Sequence, residues 1–221
     1  MKKHLSYLFI FAVLSAAFVF VAFQQQSVQV QPQKIKTIKI GYQEWMAENL
    51  NVVRFRNGDL IPHVKTDQEW KAYSMQKKPA WCFYENDPAN EAKYGRMYNW
   101  YAVTDPRGLA PEGFRVPIDY DWQELARMLG SEELAGYKMK STSGWNEGGN
   151  GSNTSNFSAM PGGYRHYNGQ FSSAGDNGFW WSADTYDAEN SNACYLSKNV
   201  DDFYRNFFFR GYGFSVRCIK E

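Results

Sequence analysis

The segment Gly211-Tyr-Gly-Phe-Ser-Val-Arg-Cys-Ile-Lys220 constrains the fold most. Alternation along it puts Phe214, Val216 and Cys218 on one face of an extended run, which predicts a strand with that face in the core. Much earlier, Gly113-Phe-Arg-Val-Pro-Ile-Asp-Tyr-Asp-Trp122 reads as a strand, a turn and the start of a helix. The two segments together predict one domain whose closing strand folds back on its middle.

The remaining elements follow from local pattern. Ile35, Ile38 and Ile40 form an opening strand that stops at Gly41, and Trp45 to Leu50 reads as a second strand or a turn. Thr66-Asp-Gln-Glu69 has the form of a capping box ahead of a short helix with Trp70 and Tyr73 on one face. The strongest helix signal is Asp119 to Gly130: Asp119 as N-cap, Trp122, Leu125, Ala126 and Leu129 at helical spacing, and Gly130 as terminator. Ser131 to Tyr137 adds another helical turn. Residues 141–182 hold nine of the chain's 18 glycines and only three charged residues, Glu147, Arg165 and Asp176, which predicts a long, ordered loop region. Strand-like runs follow at Phe179 to Ala183, Ala193 to Leu196, Phe203 to Phe209 and Phe214 to Ile219. Helices early and antiparallel strands late predict an α+β fold, with two or more short helices packed on an antiparallel sheet and a long Gly-rich loop region.

Upstream of the domain, Lys2 and Lys3 precede the apolar run Leu5 to Phe23, the layout of a secretory signal peptide. The run is also long enough to span a bilayer, so residues 1–23 serve either as a cleaved leader or as an N-terminal anchor. No Cys follows it to accept a lipid. Residues 24–33 contain six glutamines, one proline and no charge, and read as a stalk linking the leader to a domain over 34–221. The expected location is therefore extracytoplasmic, secreted or surface-anchored, with membrane contact only through the N-terminal segment. Without Lys2 and Lys3 the 24 basic residues become 22 against 23 acidic ones, a formal charge of −1. That balance argues against nucleic acid and anionic lipid as partners, because both need a concentrated basic face.

Eight Trp, 15 Tyr and 16 Phe exceed what an ordinary core requires and point to some surface role for aromatic rings. Catalytic chemistry finds little support. His63 and His166 are the only histidines after the leader, and no Gly-x-Ser-x-Gly elbow, phosphate loop or His-Glu-x-x-His is present. Asp184, Asp187, Asp201 and Asp202 read as solvated loop charges. Glu85-Asn-Asp-Pro-Ala-Asn-Glu91 has oxygen ligands suited to Ca²⁺ but is equally the vocabulary of a turn. No cofactor and no metal site is expected. The odd set Cys82, Cys194 and Cys218 implies one disulfide and a leftover thiol, or none paired; Cys218 is the expected member, with Cys194 or Cys82 as partner.

Several blocks resemble one bacterial family in the correct order. They are Gln43-Glu-Trp-Met-Ala-Glu-Asn-Leu50, Ala80-Trp-Cys-Phe-Tyr-Glu-Asn-Asp-Pro88, Tyr94-Gly-Arg-Met-Tyr-Asn-Trp-Tyr-Ala102 and Gly113-Phe-Arg-Val-Pro117. Lys138 to Trp145, Phe157-Ser-Ala-Met-Pro-Gly-Gly-Tyr164, Trp181-Ser-Ala183 and Gly213-Phe-Ser-Val-Arg-Cys218 extend the match over about residues 38 to 220. The chain resembles the Fibrobacter succinogenes major paralogous domain, carried by exported, often surface-tethered proteins of that group and of Bacteroidetes. The resemblance implies a C-type-lectin-like fold, related to that of formylglycine-generating enzymes, and names no activity. Members commonly carry a Cys where this chain has Ala110, so the resemblance suggests Cys194 as the substitute partner of Cys218. The closely spaced copper-binding cysteine pair of the formylglycine-generating relatives has no counterpart here.

The expectation is thus a non-catalytic recognition or adhesion domain for a surface glycan or protein. Its ligand residues are placed in the Gly-rich region, at Trp145, Asn146, Tyr164, Arg165, His166 and Tyr167, because Tyr and Arg among Ser, Gly and Asn make adaptable recognition loops. Arg217 reads as a structural hydrogen-bond or ion-pair residue. The alternatives are a structural envelope component that binds other surface proteins, and a divergent formylglycine-generating-type enzyme.

Overall fold

Gly41, at φ +58°, turns the chain between β1 (Thr37–Ile40) and β2 (Gln43–Met46), in a conformation that L side chains rarely adopt. The computed structural model describes residues 35–221; the leader (1–23) and the Gln-rich stretch (24–33) lie outside them. No helix among the described residues is long and apolar enough to cross a membrane.

Helix α1 (Asp67–Met75) begins with the expected capping box. Thr66 Oγ1 accepts from the Glu69 amide, and the Glu69 carboxylate accepts from the Thr66 amide. Strand β3 (Trp81–Cys82), helix α2 (Glu91–Tyr94), strand β4 (Met97–Asn99) and helix α3 (Trp100–Val103) follow. Strand β5 (Phe114–Arg115) then leads into helix α4 (Asp119–Met128). Asp119 is not its N-cap: Ile118 holds that place, and Asp121 closes the turn by accepting from the Ile118 amide at 2.8 Å. Asp121 also takes both terminal nitrogens of Arg115, at 2.6 and 2.8 Å, which ties the helix start to β5. Asp119 is drawn away to Arg205. Helix α5 (Glu132–Met139) is longer than the single turn expected and rests its Gly136 against the backbone of Asp201 and Asp202.

The Gly-rich region departs from the loop expectation. It contains β6 (Gly162–Arg165), β7 (Phe171–Ala174) and the start of β8 (Asn177–Thr185). Strands β9 (Asn190–Ser197) and β10 (Phe203–Phe209) follow, and the closing run divides into β11 (Gly213–Phe214) and β12 (Ile219–Lys220). The eight-stranded sheet runs β10-β9-β8-β6-β11-β4-β3 with β7 beside β6, and the four-stranded sheet runs β1-β2-β12-β5. Pairing is antiparallel except between β6 and β8, which are parallel where Gly163 meets Gly178. The structure is a mixed α+β fold of two sheets and short helices.

The closing segment joins the two sheets. Beyond β11, Ser215 exchanges backbone bonds with β8, donating to Phe179 O at 3.2 Å and accepting from the Trp181 amide at 3.1 Å. Val216 O and Cys218 O accept from Leu50 and Met46, and Ile219 pairs with Arg115 of β5, so the strand does fold back on the middle of the chain. Phe214, Val216 and Cys218 share one core cluster as the alternation requires. A second cluster lies under α4 and α5, around Trp45, Trp122, Phe157 and Trp180. Trp45, Trp70, Trp180 and Trp181 are fully buried, and each indole N–H finds an acceptor, as burial demands. Trp122 is the exception, with an indole N–H that meets no partner.

The expected Cys194–Cys218 disulfide is absent. All three cysteines are free and buried. Neighbours along β9 point to opposite faces, which puts Cys194 in the cluster under the helices, whereas Cys218 belongs to the other cluster. Iodoacetamide should therefore label none of the three in the native protein and all three in guanidinium without reductant, counted by intact mass; a bridge would leave at most one site. Gly136→Ala, ordinarily favourable inside a helix, should here lower stability by about 1–3 kcal/mol in thermal melts, because its methyl strikes two fixed carbonyls.

Candidate functional site

Of the six residues expected to bind a ligand, the structure separates three from the other three. Trp145 is buried, and its indole donates to Ser141 Oγ and Ala159 O, both at 3.1 Å. Asn146 is exposed, but its amide donates to Asp176, which also pairs with Lys198, so it fastens one loop to another. Arg165 is wholly buried between the rings of Trp70 and Phe171, with its guanidinium carbon 4.6 Å from each ring centre. Its nitrogens donate to Gly169 O and Val64 O at 2.7 Å and to Lys65 O at 2.9 Å. Trp145 and Arg165 thus serve the core; a polar side chain in a Gly-rich stretch looks like a binding group until its carbonyl partners are known.

Tyr164, His166 and Tyr167 do come together, on residues that sequence reasoning did not single out. Tyr164 lies in β6, and the turn after that strand carries His166 and Tyr167, closed by bonds from the His166 amide to Gln170 O and from the Gly169 amide to His166 O. Gly169, at φ +104°, lies hard against Asp67, which leaves no room for a side chain. His166 stands 4.8 Å from Tyr212, and Tyr167 stands 5.3 Å from Phe209, both edge-on. From Tyr164 the rings continue through Phe179 at 5.3 Å to Tyr195 at 5.4 Å and to Tyr204 at a further 4.8 Å, the last two steps being stacked. Strand register produces this ladder, since Phe179 faces Tyr195 and Tyr195 faces Tyr204 across β8, β9 and β10. Phe208, two positions from Asn206 on the same face of β10, joins it edge-on to Phe179.

This surface contains Tyr164, His166, Tyr167, Tyr195, Tyr204, Phe208 and Tyr212, all partly or fully exposed and none of them acidic or of fixed positive charge. Tyr204 donates its hydroxyl to Asp202; among the described residues the hydroxyls of Tyr164, Tyr167, Tyr195 and Tyr212 have no protein partner. Half-burial raises the phenols of Tyr195, Tyr204 and Tyr212 above the ordinary value, because the anion loses water that the ring face excludes. The period-two aromatics of β10 were the available signal; the partner strands that turn them into a surface are visible only in the fold.

The other sequence candidates are consumed by structure. In the acidic loop Asn86 donates to Lys65 O, Asp87 caps the Ala89 amide and Asn90 donates to Tyr84 O, the bonding of a turn. Asp184 accepts from the Asp119 amide and from Asn192, and Asp187 caps Glu189 and Asn190. Among the described residues no three His, Cys, Asp or Glu side chains could share a metal ion. Burial pushes the thiols of Cys82 and Cys218 up to about 12, which suppresses thiolate chemistry.

The raised phenols have a consequence for stability. A group whose folded pKa exceeds its unfolded one stabilises the fold fully below the unfolded value, and that stability is lost as pH rises through the folded value. Thermal stability should accordingly fall as pH climbs past the ordinary tyrosine value of 10.0. Phenolate absorbance at 295 nm should show a late-titrating group of tyrosines, and Tyr212→Phe should remove part of the loss.

No curated protein and no solved structure matches the chain. A family model does, over residues 38–220, nearly all of the described region. The chain belongs to the Fibrobacter succinogenes major domain family.

Proposed function

We propose that this chain is a non-catalytic, exported recognition domain that binds a glycan on its aromatic surface. The observation that carries the reading is the row Tyr164, Tyr195, Tyr204, Phe208 and Tyr212, half-exposed and largely uncharged, in which the hydroxyls of Tyr164, Tyr195 and Tyr212 have no partner among the described residues and that of Tyr204 is held by Asp202. A sugar ring offers an apolar C–H face that lies on aromatic rings and a rim of hydroxyls that bond to phenols. Rigid tyrosines provide that contact at small entropic cost. The basic-then-apolar start of the chain and the polar stretch after it support export and a tethered or released domain at the cell surface. Short helices, a closing strand paired beside the first hairpin, and a long Gly-rich segment support a C-type-lectin-like assignment. Three separated, buried thiols weigh against a formylglycine-generating type of chemistry.

The test is a glycan array and polysaccharide pull-down with the purified protein, with calcium and with chelator. Tyr195→Ala and Tyr212→Ala should each weaken retention by about 1–2 kcal/mol, roughly five- to thirtyfold, without loss of fold. Trp145→Ala should instead destabilise the protein by about 3–5 kcal/mol. Folded protein that retains no glycan, yet captures an envelope protein through the same tyrosines, would replace the glycan with a protein partner.

A further inference from the structure

A cleft of about 380 Å³ opens beside the closing segment, away from the residues of the aromatic surface, and Glu48, Asn49, Lys93, Tyr94, Ser158 and Arg217 are among those that line it. Arg217 is only 2 % exposed. Its Nε donates to Asn49 Oδ1 at 3.0 Å, and its Nη1 donates to Ala47 O at 3.1 Å and Phe157 O at 2.7 Å. The guanidinium lies 4.3 Å above the Phe157 ring. Every acceptor around it is neutral, and no carboxylate among the described residues comes within ion-pair distance; an arginine taken out of water normally has one. Burial accordingly pushes its pKa down to about 9, still charged at neutral pH.

One nitrogen of the fork is uncommitted. Nη2 makes no hydrogen bond to the described protein and is not among its sealed, partnerless polar atoms, so it is left to the cleft that Arg217 lines. Lys93 stands at the same wall, exposed and without an ion pair among the described residues, its ammonium 4.7 Å over the Tyr94 ring. Glu91, another lining residue, is neutralised by Arg96 at 2.9 Å and accepts a hydrogen bond from the Asn51 amide. Glu48 is exposed and forms no ion pair, so Arg217, Lys93 and Glu48 leave the cleft with one positive charge in excess.

We propose that this cleft binds an acidic sugar, a uronate, whose carboxylate accepts from Arg217 Nη2 and Lys93 Nζ. A monovalent carboxylate brings the lining to neutrality, whereas a dianionic phosphate would overcharge it. Glu48 and Ser158 line the same space: the Glu48 carboxylate can accept from ring hydroxyls, the Ser158 hydroxyl, which accepts from Asn153 at 2.8 Å, has its own proton to donate, and the volume is that of a small-ligand site. The proposal is independent of the aromatic surface and would stand if that surface bound protein.

Titration calorimetry of the purified protein with galacturonate, galactose and inorganic phosphate tests it. Galacturonate should bind saturably, more weakly as salt rises, with galactose and phosphate at least about tenfold weaker. Ala92→Glu and Lys93→Glu, both at exposed positions of the cleft wall, should reduce galacturonate affinity about tenfold or more with an unchanged melting temperature. Arg217→Lys should abolish binding, with the melting temperature measured alongside. Equal binding of galactose and galacturonate, preferential binding of phosphate, or galacturonate affinity unmoved by Ala92→Glu and Lys93→Glu would each overturn the proposal.

Discussion

Residues 213–220 belong to both sheets at once, and the rest of the structure depends on that crossing. Gly213 and Phe214 pair with β4, and Gly213 also pairs with β6, in the large sheet. Five residues beyond Phe214, Ile219 pairs with β2 on one side and β5 on the other in the small sheet. Between these pairings the backbone of Ser215, Val216 and Cys218 is bonded to Phe179, Trp181, Leu50 and Met46. The two core clusters are defined by this crossing: Phe214, Val216 and Cys218 enter one, and Ile219 enters the other.

Buried cations impose the order that a Gly-rich chain lacks by itself. Arg217 reaches Phe157 O, Arg165 reaches Gly169 O and Val64 O, and Lys140, 1 % exposed, donates to Val200 O at 2.9 Å and Ser197 O at 3.3 Å. In each case a long side chain gathers backbone carbonyls from distant parts of the chain, most of them in loops. A cation satisfied by several carbonyl dipoles avoids much of the desolvation cost that an isolated buried charge would meet. The glycines allow close backbone approach, and the cations determine which backbones meet. The same device leaves Arg217 with one nitrogen free, so a structural residue also becomes the source of the cleft's charge.

What could be read from the residues follows the range of the forces involved. The capping box at Thr66, the helix from Asp119 and the inward face of Phe214, Val216 and Cys218 depend on neighbours within a few positions, and the structure has all three. Asp119 as N-cap failed because Asp121 had a better claim, held by Arg115 from β5, and Arg205 from β10 drew Asp119 aside. Residues 141–182 read as loop because β6 and β7, which pair with each other, are only four residues each, and β11, the other antiparallel partner of β6, lies far along the chain. The aromatic surface was half legible. Tyr164, His166 and Tyr167 are adjacent in sequence, whereas Tyr195, Tyr204, Phe208 and Tyr212 join them only through register. Trp145 and Arg165 have the residue types of a binding loop, and only the positions of their acceptors show that they serve the core.

The crossing also sets the order in which the chain can mature. A nascent chain synthesised only as far as Arg210 has β1, β2 and β5 without the strand that lies between β2 and β5, and β4 and β6 without the one between them. Neither sheet can close, and the face that Phe214 and Val216 cover stays wet. Cooperative folding therefore waits for the last-made strands, whose contacts span much of the chain and form slowly. Until then the polypeptide has no finished domain to resist threading through a narrow pore.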